Sequence, residues 1–379
     1  MCMQDIGKSN LAAVALAWML SSLLCFARAQ DIVVAHVGPF TGPLSPNGVA
    51  NFDGSKACVE EANAAGGVLG RKLRLVREDD QYKAEETVRL LREVAQRDRP
   101  TAFINLLGSA NVSAVLKDKT LDELRIPAVG VTPGADILRT PGSPWMFHVQ
   151  ASDSAQLKHI VQHLTTIGFS RVAVVYQDIP FGRGGLKLVE ELAASKGISI
   201  VGRVAVPSAA EDLKAAAAQL RQADAQVYLM VLAPNSGSSL VRDVRGSGDW
   251  TPIYGMSYVP VKDIVQKAGS SSAVGVGLAQ VTPNTYSSAT ALVRRFDAAM
   301  GKFAPGIERS QLHLIGYLSC RALIEGIKSA GATNAEALRN ALQRQQVDLG
   351  GYLLDFAGTN VGSRYVDIGV ITREGRLMY

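Results

Sequence analysis

The sequence is poor in the residues that most chemistry needs. It has five histidines and four cysteines in 379 residues, and aromatics make up only 6%. No Gly-x-Ser-x-Gly elbow is present, which removes the usual serine hydrolase signature. The glycine run Phe181-Gly182-Arg183-Gly184-Gly185 lacks the third glycine of a dinucleotide loop and any Gly-Lys-Ser/Thr, so it reads as a helix start. His159 and His163 share one helix face, but no local Cys or Glu completes a metal set. Asp79-Asp80 reads as a strand-end turn before it reads as an acid–base pair. The sequence therefore predicts no enzyme, no catalytic residue, no metal and no cofactor. Charge of one sign is also scarce. The formal net charge is +5, with Lys and Arg interspersed among acids, and solvated faces explain that better than a nucleic-acid surface.

Long apolar runs are confined to the start of the chain. Lys8 precedes the run Leu11–Phe26, and Ala27-Arg28-Ala29 supplies a small-x-small processing site. Residues 1–29 are accordingly read as a cleavable signal peptide, and the mature protein as periplasmic. Cys2 and Cys25 leave with it. Cys58 and Cys320 remain, on apolar faces of two helical patterns, and either a disulfide or two buried thiols fits them.

What is present is alternation. Short β-branched runs (31–37, 72–78, 102–106) are separated by amphipathic helical patterns (49–64, 84–98), which predicts a parallel sheet wound by right-handed crossovers. The alternation restarts at about residue 155 and runs to a strand ending at Val281. Helical patterns then follow over 289–300, 311–330 and 334–343, with strands of their own only at 352–356 and 365–372. Helices without strands need another sheet to cover. The predicted fold is α/β, with two doubly wound, Rossmann-like lobes. Lobe 1 is 30–149 with 283–346, lobe 2 is 150–282 with 347–379, and three hinge crossings join them. A cleft between such lobes is a preferred small-ligand site.

Two turns stand at strand ends. In Asn105-Leu106-Leu107-Gly108-Ser109-Ala110-Asn111, Ser109 lies where a helix N-cap belongs. Its hydroxyl and the backbone N–H groups after it, Ala110 among them, can face one anion. In Val131-Thr132-Pro133-Gly134-Ala135-Asp136, Thr132 adds a hydroxyl and Gly134 permits close backbone approach. Together they predict a carboxylate cradle at the carboxyl ends of parallel strands.

Along the chain come, in order, Val37-Gly38-Pro39-Phe40-Thr41-Gly42-Pro43, Asn63-Ala64-Ala65-Gly66-Gly67-Val68-Leu69-Gly70-Arg71-Lys72-Leu73, Asp79-Asp80, and the Gly108-Ser109, Ile126-Pro127 and Thr132-Pro133 turns. In that order of motifs the chain resembles the type I periplasmic solute-binding proteins of ABC importers, in particular the branched-chain amino-acid (Leu/Ile/Val) binding family. The resemblance implies a monomeric binding component that delivers a small carboxylated solute to a permease and ATPase in the inner membrane. A periplasmic sensor partner is the alternative, and an exported two-lobe enzyme a more distant one. It also implies that Ser109 and the Gly134–Asp136 turn hold the ligand carboxylate. In the other half of the site Phe181 replaces the family's tyrosine, Leu232 aligns with a second one, and Ser257 stands near the acid that receives the ligand ammonium. The ligand then either lacks an α-amino group, with Phe40, Phe181, Leu232 and Tyr258 around its apolar body, or presents its ammonium to Asp136 or Asp178.

Overall fold

The computed structural model describes residues 30–208 and 210–379; the expected signal peptide lies outside them. Its first sheet contains β1 (Ile32–Gly38), β2 (Leu73–Asp79), β3 (Ala102–Ile104), β4 (Ala128–Val129) and β5 (Met146–Phe147), in the spatial order β2-β1-β3-β4-β5. All its pairings are parallel. This is the doubly wound order in which connections from the first strand pass to opposite faces, opening a crevice at the carboxyl ends of β1 and β3. Every β1 side chain is buried, as expected of a strand covered on both faces.

The second sheet repeats the winding. It contains β6 (Arg171–Gln177), β7 (Ser199–Val206), β8 (Val227–Val231), β9 (Ile253–Gly255) and β10 (Gly277–Gln280), in the order β7-β6-β8-β9-β10. Two late strands, β13 (Asp367–Ile371) and β14 (Leu377–Met378), extend it antiparallel beyond β10. The all-parallel expectation thus holds for the first sheet and fails at the far edge of the second. A short hairpin, β11 (Gln346–Asp348) and β12 (Leu353–Asp355), stands apart from both.

Thirteen helices are described. On the first sheet lie α1 (Ser45–Ala64), α2 (Ala84–Asp98), α3 (Ser109–Lys117) and α4 (Thr120–Leu124). On the second lie α5 (Asp153–Thr166), α6 (Pro180–Lys196), α7 (Lys214–Gln222), α8 (Pro234–Gly246), α9 (Val261–Ala268) and α10 (Ser270–Ala273). The last three are α11 (Ala291–Phe303), α12 (Gln311–Ala330) and α13 (Ala335–Leu342). No described helix is long and apolar enough to cross a membrane.

The late helices have no strands of their own and cover the first sheet. Val293 and Phe296 of α11 and Leu318 and Leu323 of α12 share one core with Ile32, Val34 and Ile104. The hairpin joins that core too, since Tyr352, Leu354 and Phe356 pack into it, ten residues past the point where the sequence reading returned the chain to lobe 2.

α1 and α12 touch backbone to backbone. A Cβ on Gly54 would strike the His313 carbonyl, and one on Gly316 would strike that of Asn51. Four residues further along each helix, Cys58 and Cys320 form a disulfide, which decides between the two readings of these cysteines. The four-residue step keeps glycine and cysteine on one helix face, so the approach made by the glycines brings the sulfurs together.

Candidate functional site

Between the two sheets lies a small cavity lined from both sides. One wall comes from loops that follow β1 to β4: Leu44 and Asn47, Tyr82, Leu107 to Ser109, and Thr132 with Pro133. The other comes from loops that follow β6, β8 and β9: Ile179 and Phe181, Ala233 and Pro234, and Tyr258. No Asp, Glu, Lys, Arg or His is among these residues.

The N-cap position expected for Ser109 is taken by Gly108, whose φ of +96 turns the chain out of the strand, and Ser109 is the first residue of α3. No side chain caps this helix, so the Ser109 hydroxyl and the first N–H groups of α3 are left for the cavity. The adjoining turn is fixed through three consecutive carbonyls. Gln150 Nε2 donates to Thr132 O at 2.6 Å, Arg139 Nε donates to Pro133 O at 3.1 Å, and the Asp153 N–H donates to Gly134 O at 2.8 Å. Arg139 Nη1 also donates to Gln150 O at 2.8 Å. The turn is therefore tied to residues 150–153, where the chain crosses to the second sheet.

Asp79 and Asp80 perform the turn role expected of them. Against the opposing effect of desolvation, Asp79 is drawn below the ordinary carboxylate range by the Thr41 hydroxyl, which donates to its Oδ2 at 2.7 Å, and by the N–H groups of Gln81, Phe40 and Thr41, which donate to Oδ1. Asp80 is fully buried. It accepts from the Tyr82 N–H at 2.9 Å, the Thr87 hydroxyl at 2.7 Å and Asn111 Nδ2 at 3.3 Å. Burial outweighs these bonds and pushes its carboxyl above the usual value. Asn111 lies on α3, so one carboxylate fixes both Tyr82 and the helix that begins at Ser109.

Gln81 and Tyr82 both have positive φ, 53° and 61°, which is uncommon for non-glycine residues and is stabilised here by the two aspartates. The Tyr82 ring fits because residue 108 has no side chain: a Cβ there would stand 2.6 Å from Tyr82 Cε2 and 2.7 Å from Asn111 Oδ1. Gly108→Ala is expected to cost about 1–3 kcal/mol of stability, since it combines a strained φ with this clash. Urea unfolding measures it, and an unchanged midpoint contradicts the packing.

On the opposite wall, Phe181 and Tyr258 meet edge to face at 5.1 Å. The Tyr258 hydroxyl donates to Asp153 Oδ1 at 2.6 Å, which orients the ring. Asp153 has no cation within ion-pair distance among the described residues, and burial raises its carboxyl to about 6.

Of the residues expected in the site, Ser109, Thr132 and Phe181 line the cavity. Gly134 sits just behind it, so close to Asp153 that a side chain would strike the carboxylate. Ala110 is solvent-exposed and does not line the cavity. Asp136 opens a 3-10 turn and lines a neighbouring pocket with Ile137, Asp153 and Phe181. Leu232 lies outside the cavity lining: it is 2% exposed and packs into the second lobe's core, because the residue just past the buried β8 points inward, and Ala233 and Pro234 reach the cavity. Ser257 lies outside the lining as well. It faces a separate groove, its N–H donates to Gln156 Oε1 at 3.0 Å, and the next residue, Tyr258, takes the cavity position. Phe40 lines that groove as well, under the Arg77 guanidinium at 4.0 Å. Asp178 pairs with Arg183 at 2.6 Å on the surface. Asn47, Tyr82, Asp80 and Arg139 were not singled out as site residues. Only the Asp79-Asp80 turn gave a signal for any of them. His163 meets the Tyr254 hydroxyl at 3.2 Å, and no metal cluster is found among the described residues.

A family model described as periplasmic binding protein matches residues 31–366. A Leu/Ile/Val-binding protein homolog 7 of Brucella abortus (strain 2308) is 26% identical over 370 residues, 92% of this chain and 90% of that one. An extracellular ligand-binding receptor from Verminephrobacter eiseniae has a solved structure that superposes with TM-score 0.87 at 36% identity, over 92% of this chain and 100% of that one. A substrate-binding periplasmic protein from Ralstonia solanacearum superposes with TM-score 0.87 at 29% identity, over 92% and 99%.

Proposed function

This chain belongs to the periplasmic binding protein family, and on that premise we propose that it captures a small carboxylic acid lacking an α-amino group and presents it to an ABC importer. The observation that carries the ligand class is the cavity lining. It offers one anion-facing element, the Ser109 hydroxyl with the start of α3, against walls that contain no carboxylate. An α-ammonium buried there would be unpaired, at a cost of several kcal/mol. Asp136 faces the neighbouring pocket, and the near oxygen of Asp153 already accepts from Tyr258. Pro133 and the Phe181–Tyr258 pair offer apolar surface to the body of an aromatic or branched aliphatic acid.

The mechanism is a population shift. A ligand that touches Ser109 on one wall and Phe181 on the other gains both contacts only when the lobes are closed, so it stabilises the closed form. That form is what a permease and its ATPase would read. Both walls come from one chain, which supports action as a monomer. The proposed division is 30–149 with 283–356, and 150–282 with 357–379, the hairpin going with the core that it packs into. The proposed location is the periplasm, reached through the signal at 1–29.

The test uses protein unfolded and refolded to remove carried-over ligand. It is screened by thermal shift against leucine with 2-oxo-4-methylpentanoate, and phenylalanine with benzoate and phenylacetate. A ligand that binds only the folded state raises Tm by mass action. Shifts with the acids alone are expected; shifts with the amino acids alone overturn the ligand class. Ser109→Ala is expected to weaken binding about tenfold or more, the loss of roughly one charge-assisted hydrogen bond, while leaving the ligand-free Tm unchanged. A ligand-free Tm loss as large as the binding loss would make Ser109 structural.

A further inference from the structure

Beyond Ser109 and Thr132, which belong to the carboxylate end, and Tyr258, whose hydroxyl is engaged by Asp153, the polar side chains that line the cavity are Asn47 and Tyr82. Asn47 lies in the first turn of α1, is 2% exposed, and its Oδ1 has no hydrogen-bond partner. Its placement is rigid, since Gly48 after it packs against the Pro39 carbonyl so tightly that no side chain fits there. A buried amide in this condition carries a desolvation cost, which pairing of the amide on closure would reduce. Tyr82 is brought to the same cavity by a backbone that its residue type disfavours, held through its N–H by Asp80 and admitted by Gly108. Strain of this kind persists where the surrounding structure fixes it, and such positions cluster at ligand clamps. Asn47 and Tyr82 stand on the same wall, from the loops that follow β1 and β2.

Resting on the carboxylic-acid reading, we propose that Asn47 and Tyr82 form a hydrogen-bonding wall that selects acids carrying a hydroxyl on their apolar body. A hydroxyl donates and accepts, so it satisfies the amide whichever end of it faces inward, and the phenol can complete the exchange. An acid without such a group leaves the amide unpaired on closure. Sites built to hydrogen-bond a ligand hydroxyl discriminate strongly against the analogue that lacks it, because their own polar groups are then stranded.

The experiment measures affinities of the refolded full mature chain by calorimetry for benzoate, 3-hydroxybenzoate and 4-hydroxybenzoate, with leucine alongside. At least one hydroxybenzoate is expected to bind about tenfold or more tighter than benzoate. Asn47→Leu and, separately, the isosteric Tyr82→Phe are expected to bring that ratio toward one, mainly by weakening the hydroxylated acid. Benzoate binding as tightly as both hydroxybenzoates to the unmodified protein overturns the proposal alone, as does a ratio that survives both substitutions. Binding of leucine with none of the three acids overturns the carboxylic-acid reading and this proposal with it. Tyr82→Phe keeps the ring and the fold, so the test stands even if Asn47→Leu fails to fold.

Discussion

Removing the Cys58–Cys320 bond lowers the unfolding free energy of the ligand-free protein by about 3–5 kcal/mol, the expected effect of opening a very long covalent loop. The bonded residues are 262 apart, so the loop closed by the bond contains β6 to β10 of the second sheet and the helices that lie on it, while β13 and β14 stand outside it. In the chain-entropy model that places the effect near the top of the usual range, although loop closure grows only slowly with length. Part of the contact survives reduction. Gly54 and Gly316 hold α1 against α12, and both sulfurs are in the core. The Ser55 hydroxyl also donates to the Gly316 carbonyl at 2.8 Å, one turn before the bond. Urea unfolding of the oxidised protein, the reduced protein and Cys58→Ala/Cys320→Ala measures the effect. Superimposable curves for all three would show that helix packing alone restrains the unfolded chain. The bond lies in the first lobe's core while the cavity is lined by strand-end loops, so ligand affinity is expected to hold while stability falls.

Acidification is the second large effect, and its origin is buried imidazole. His36 is fully buried among Phe40, Phe52 and Arg77 with neither ring nitrogen bonded, and desolvation, then Arg77, lowers it to about 3. Burial, then the positive charge of Lys262, lowers His313 to about 4. His148, whose Nδ1 meets Val131 O at 2.9 Å, is held well below its ordinary value by burial, then by Arg139. Above pH 6.5 these groups are neutral in both states and contribute no slope. Below it the unfolded chain takes up protons that the folded chain refuses, so stability falls as pH falls. Asp153 acts in the opposite sense. Raised to about 6, it binds a proton in the folded state before the unfolded state does, which restores some stability between pH 6 and 4. Three histidines against one aspartate give a net loss on the order of 4 kcal/mol between pH 6.5 and 5, a large share of a typical domain's stability. Urea midpoints at pH 7.5 and 5.0 check the sum. His36→Leu should reduce the difference by roughly 40%, since Asp153 offsets part of the three histidine contributions, and Asp153→Asn should increase it. A midpoint that does not move between the two pH values would show that the imidazoles charge in place.

The sequence by itself determined the two α/β alternations. Strand and helix periods are written in neighbouring residues, and the bounds of two helices, 84–98 and 311–330, agree to the residue. It also determined Ser109 and Thr132, because a helix start after a buried strand and a turn before Pro-Gly are local events. Where the site depends on which neighbour faces inward, local pattern was insufficient. Leu232 and Ser257 each lie one residue from the position that lines the cavity, since the chain turns at the end of β8 and β9 and a single residue reverses which side chain points in. Asn47 and Tyr82 give no periodic signal at all. One belongs to a helix that starts four residues earlier than its apolar pattern, and the other occupies a backbone region that its residue type seldom visits. The pairing of Cys58 with Cys320, the antiparallel edge of the second sheet and the placement of the hairpin were decided by contacts between segments far apart in the chain. Such contacts depend on how whole elements stack, and no stretch of sequence contains that.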